Sequence, residues 1–158
     1  MARLAHLSRR FFRSLRPRRL GPSEQAEVAA LLRDADAPLF WRQAPADQRH
    51  ALDCARFVAA AAPGRNDLAR AALFHDVGKS GVGLGLLGRC VASGLRMLHL
   101  PAGGRLRAYL DHGPSGAEEL ERVGAERVVV SFARHHHRAR PHDIDDADWD
   151  LLCRADDL

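Results

Sequence analysis

A chain of 158 residues with 46% hydrophobic content suits one globular domain with a buried core, so it does not depend on disulfide staples or a structural metal to fold. Three cysteines without CxxC spacing exclude a disulfide framework and a thiolate zinc site and suggest reduced thiols in the cytoplasm. The net charge of +4 is weak evidence for nucleic-acid binding, because residues 1–22 carry seven arginines and no acid while residues 143–158 carry seven aspartates against Arg154.

Aromatic residues are few, and β-branched runs are almost absent apart from Val128-Val129-Val130, so an all-α fold is expected. The longest apolar stretch, 81–100, contains Arg89, Arg96 and five glycines, which argues against a transmembrane segment. In residues 1–22, Leu4, Leu7, Phe11 and Leu15 fall at helical spacing with arginines around them. This basic amphipathic segment either packs on its own domain or touches an anionic surface or partner. Pro17, Gly21 and Pro22 mark a boundary, and residues 23–158 form the domain.

Ser23 is the expected N-cap of a helix reaching about Asp34, and Pro38 to Trp41 reads as a linker or short turn. A second helix is expected from Pro45 to about Ala62 before Pro63-Gly64, and a third, capped by Asn66 or Asp67, to about Asp76 with Gly78 just beyond. Residues 84–99 read as a glycine-broken apolar helix. Three more are expected over 105–112, 115–123 and 125–136, punctuated by Gly113-Pro114 and Gly124. Asp143 or Asp145 caps the last, which runs to residue 158.

The chemistry concentrates on histidine and aspartate. His75-Asp76 ends an apolar run, and Lys79, the only lysine, follows three residues later. On a regular helix the two side chains diverge by about 100°, so they reach one ion only at a helix end. Positive φ at Gly78 would provide that end and turn Lys79 back over the site. His50 shares an apolar stripe with Cys54, Phe57 and Ala61, and Asp156 shares one with Trp149, Leu152 and Cys153. Buried polar groups in those places need partners, and a metal ion is one that would serve all of them. Each taken singly reads equally well as a hydrogen-bonded core residue.

Together, His50, His75-Asp76 and Asp156, with Val77-Gly78-Lys79 continuing the pair, resemble the signature of the HD superfamily of metal-dependent phosphohydrolases. Asp111-His112-Gly113-Pro114, followed by Gly116, and the triplet His135-His136-His137 are similar to segments of its two-metal members. The resemblance implies an all-α bundle of about six to eight helices with the metal site between them. It further implies a phosphohydrolase acting on a nucleotide or other small phosphoester through a metal-activated water. The implied cofactor is a divalent transition metal, two ions of Mn, Fe, Zn, Ni or Co, with Mg suiting less well. Metal one falls to His50, His75, Asp76 and Asp156, and metal two to Asp76 as bridge, His112 and His136. His137 is a further ligand or the acid, and Lys79 and Arg138 are the phosphate contacts. Arg134 and Arg140 either join them or form a solvated edge. Arg138-Ala139-Arg140-Pro141 stands where cyclic-dinucleotide hydrolases of the superfamily have Glu and a Gly-Tyr-Pro motif, so that activity is not expected. The rival reading is a non-catalytic module that keeps the ligands for metal or nucleotide binding.

Overall fold

The first helix among the described residues begins where Pro22, with preset φ and no N–H to leave unpaired, follows Gly21. The computed structural model describes residues 19–85, 88, 91, 92, 94, 95, 98 and 100–158. The basic segment through residue 18 therefore lies outside the described residues, with His6, Cys90, His99 and much of the helix expected over 84–99. Residues 88, 91, 92, 94 and 95 of that stretch are helical.

Helix α1 spans Pro22–Leu31, and its N-cap is Gly21 rather than Ser23. The Gly21 N–H donates to the Glu24 carboxylate at 2.8 Å, so a side chain inside the first turn does the capping. The stretch expected as a linker forms a short helix, α2 (Ala37–Trp41), because Leu39 and Phe40 are buried. Phe40 meets Phe74 edge-on, with ring centroids 6.5 Å apart. Helix α3 runs Pro45–Ala61 and buries Ala51, Leu52, Cys54, Ala55 and Val58.

Helix α4 (Asn66–Phe74) is preceded by Arg65, not Asn66 or Asp67, at its N-cap, and every residue from Leu68 to Phe74 is buried. It is the central element: α3, α7 and α8 all pack against it. A 3-10 segment (Val77–Val82) follows. Then come α5 (Gly104–Leu110), α6 (His112–Arg122), α7 (Arg127–His135) and α8 (Asp146–Asp156). Asp145 caps α8, its side chain accepting from the Asp148 N–H at 2.8 Å. Among the described residues there is no strand, and no helix is long and apolar enough to cross a membrane.

Gly78 is not in the positive-φ region, contrary to the reading of the sequence. Its need is for space: a Cβ there would stand 2.2 Å from the His112 carbonyl oxygen and 2.7 Å from the Gly116 nitrogen. The 3-10 segment thus presses backbone to backbone on α6, and Gly116 is the reciprocal contact, its own Cβ position 2.9 Å from the Gly78 nitrogen. Leu20, Val28, Leu39 and Phe40 join the same hydrophobic cluster as residues of α3, α4, α6, α7 and α8, so residues 20–41 are part of the packed body.

Candidate metal centre

Helix α4 stops at Phe74, and the chain tightens from α-helix to 3-10 across His75 and Asp76. This change of winding lets two consecutive side chains turn inward together. Both are buried, at 1% and 2% exposure. His50 comes from the second turn of α3, Asp156 from the last residue of α8, His112 from the start of α6, and His136 from the C-cap of α7. Four helix ends and one helix body converge on one place.

The potential ligand atoms divide into two groups, each lying within 4.8 Å of one another: His50, His75 and Asp156, and Asp76, His112, His136 and His137. In the first, His75 Nε2 lies 3.1 Å and His50 Nε2 3.6 Å from Asp156 Oδ1. In the second, His112 Nε2 stands 2.8 Å and His136 Nε2 3.6 Å from Asp76 Oδ1. The other Asp76 oxygen, Oδ2, faces the first group, 3.4 Å from His75 Nε2. Asp76 therefore looks both ways.

The ring orientations are held by backbone. Nδ1 of His75, His112 and His136 contacts the carbonyl of Ala72, Tyr109 and Ala133, at 2.8, 2.8 and 2.9 Å. A carbonyl only accepts, so each Nδ1 is the donor, and in the neutral ring each Nε2 carries a lone pair directed at the site. Those lone pairs meet carboxylate oxygens and one another, His112 Nε2 and His136 Nε2 being 3.2 Å apart. The buried His75 Nε2 has no hydrogen bond of adequate geometry despite its close carboxylates. Converging acceptors with too few donors require protons or cations. Nitrogen and oxygen ligands 2.0–2.2 Å from an ion stand at most about 4.4 Å apart, so the two groups need only a small contraction to enclose one ion each. The donor set fits divalent metals, and its imidazole content suits transition ions better than Mg.

The electrostatics follow. Burial works against the charged form of His75, yet the Asp76 and Asp156 carboxylates push it up to about 10. Burial alone would raise Asp76, but Lys79, His75, His112 and His136 hold it well below the usual carboxylate range. Asp156 is depressed likewise against its burial, by His75 and His50. Burial lowers His112, which keeps its imidazole in the neutral form that ligation requires.

All six residues expected as ligands lie in this pocket, with His137 the exposed member of the second group, its ring 3.9 Å from that of His136. Lys79 does not face open space: its ammonium is paired with Asp76 Oδ2. Of the three arginines flanking the triplet, Arg134 pairs with Glu121 at 2.8 Å and Arg140 with Asp146 at 2.7 Å, neither partner being one of the ligands. Arg138 faces Asp111, next to His112, at 3.7 Å. His135 and His142 line a separate groove over the outer side of α7.

Two neighbours escaped the sequence. Tyr109, the only tyrosine, orients His112 through its carbonyl, and its ring centroid lies 5.9 Å from the Lys79 ammonium. Its position three residues before a terminal histidine was the available signal. Cys54 donates its thiol to the Ala155 carbonyl at 3.1 Å, tying α3 to α8 beside His50 and Asp156, and no sequence pattern announces that pairing.

Comparison with known proteins places this geometry in a family. The chain matches the family model described as HD domain over residues 48–158, a span that includes both groups of ligands. No curated protein and no solved structure gives a significant match.

Proposed function

Because the chain belongs to the HD domain family, we propose that it is a metal-dependent phosphohydrolase acting on a small phosphoester, a nucleotide being the favoured class. The observation that carries this reading is the division of Asp76: Oδ1 toward His112 and His136, Oδ2 toward His75. His50, His75, Asp76 and Asp156 would hold one ion, and Asp76, His112 and His136 the other. Two such ions supply Lewis acidity at a phosphoryl oxygen and a water acidified from about 15.7 toward 7.

The protein's own groups do the rest. The backbone bonds at Nδ1 keep the imidazoles aimed, a contribution worth about 10- to 100-fold in metal affinity where comparable contacts have been removed. Lys79 offers a compact positive charge to the phosphoryl oxygens. His137, the exposed member of the second group, would protonate the leaving oxygen. Arg138 exchanges Asp111 for the substrate phosphate. Cys54 and Cys153, neither in a disulfide among the described residues, suit a reducing cytoplasmic setting.

The test is elemental analysis of the purified chain followed by turnover of phosphomonoesters and phosphodiesters with Mn or Fe loaded under reducing conditions. We expect hydrolysis in at least one class and its loss in His75→Ala. A fully loaded protein that hydrolyses neither class would overturn the proposal in favour of a non-catalytic binding module.

A further inference from the structure

We propose that Lys79 is a built-in cation that holds the place of one metal on Asp76 Oδ2 and is released toward the substrate only when that metal binds. This rests on the metal-dependent reading above. Asp76 is 2% exposed, and a buried carboxylate cannot stay charged without cations around it. His112 and His136 take up Oδ1, and Lys79 takes Oδ2 with His75 beyond it at 3.4 Å. A metal held by His50, His75 and Asp156 reaches Asp76 only through Oδ2, the atom the ammonium occupies. Lysine and this metal therefore compete for one oxygen, and two positive charges a few ångströms apart repel strongly in a buried setting.

The residue type suits the task. Lys79 carries its charge on four flexible methylenes, so the ammonium can leave without moving the backbone that Gly78 locks against α6. It has somewhere to go. The Tyr109 ring lies 5.9 Å from Nζ, and the Asp47 carboxylate on the first turn of α3 also acts on it. The side chain retains 14% exposure. An arginine, which the composition would supply by default, forks bidentately and would hold Asp76 too firmly. The second ligand group, whose contact with Asp76 is through Oδ1, has no such competitor. Two unequal binding steps follow, with the charge that meets substrate freed only in the second.

The experiment is calorimetric titration of the metal-free full chain with Mn2+, paired with thermal melting with and without Mn2+, for the native chain, Lys79→Met and Lys79→Arg. The native chain is expected to bind in two unequal steps. Lys79→Met should tighten the weaker step about tenfold or more. Its metal-free form should melt lower, because Asp76 loses its stand-in cation, and its rise on adding Mn2+ should exceed that of the native chain. Lys79→Arg, which keeps a cation, should leave the weaker step no tighter. If metal-free Lys79→Met is unfolded, Mn2+ should restore its helicity, and failure to do so counts against the proposal. Two steps left unchanged or weakened in Lys79→Met sink this inference alone. A native chain that takes up no Mn2+ sinks the metal-dependent reading as well.

Discussion

Asp76 offers one oxygen to each ligand group, so its removal reaches further than that of any other single residue in the pocket. Asp76→Asn keeps the shape and removes the charge. We expect both metal equivalents to weaken by more than about a hundredfold, since even groups that only orient ligands contribute 10- to 100-fold. Asp156→Asn should weaken one equivalent, and His135→Ala, on the outer groove, neither. Metal titration of the three variants separates these outcomes. Gly78→Ala tests the close approach rather than the ligands. Its methyl meets backbone, which cannot step aside like a side chain, so a cost of about 1–3 kcal/mol is expected in urea unfolding. Because His112 supplies the atom that is struck, metal affinity should fall in the same variant. An unaltered affinity would show that the 3-10 segment and α6 relax without moving Asp76 away from His112.

Between elements, a buried polar tie is made by Arg70 on α4, 4% exposed, which bonds Asp36 before α2, the Leu31 carbonyl at the end of α1, and Glu126 before α7 at 3.0 Å. It joins four helices. Arg70→Ala would strand Asp36, 1% exposed, and should cost about 3–5 kcal/mol. Burial would raise the Glu126 carboxyl, but its own backbone N–H, Arg70 and Arg33 hold it below the usual range. A carboxylate depressed in the folded state contributes stability above its unfolded value of about 4.3, and that contribution is lost as pH falls through the folded value. Glu126→Gln should therefore lose less stability than the native chain between neutral pH and pH 3, measured by urea unfolding of metal-free protein. An equal acid sensitivity would remove Glu126 from the account. The helix frame itself was legible: proline at 22 and 45, aspartate at 145 and the apolar periods mark helix limits within a few residues, since these are local preferences. Residues 37–41 were not, because a five-residue helix has too little periodicity to read and is held by Phe40 packing on Phe74.

At the scale of the whole molecule, the ligand pocket draws on α3, α4, α6, α7 and α8 at once, so bound metal and folding are coupled. An ion that binds only the folded state adds RT ln(1 + [L]/Kd), about 2.7 kcal/mol per site at a hundred times Kd. The melting temperature should fall on chelation and recover with Mn2+, and a melt indifferent to chelator would argue that the ligands are not preferentially occupied in the folded state. From the sequence alone came an all-helical chain and the list of six histidine and aspartate positions that meet, because helix periodicity and ligand chemistry reside in each residue and its near neighbours. The resemblance already implied Asp76 as a bridge, but only the tertiary structure decided which of its oxygens faces which ligand group, that Lys79 lies on one of them, and that Gly78 makes room rather than a turn. The first and the last depend on distances between helices far apart in the chain, which local preference does not encode, and the second on which Asp76 oxygen those helices leave to Lys79, three residues on.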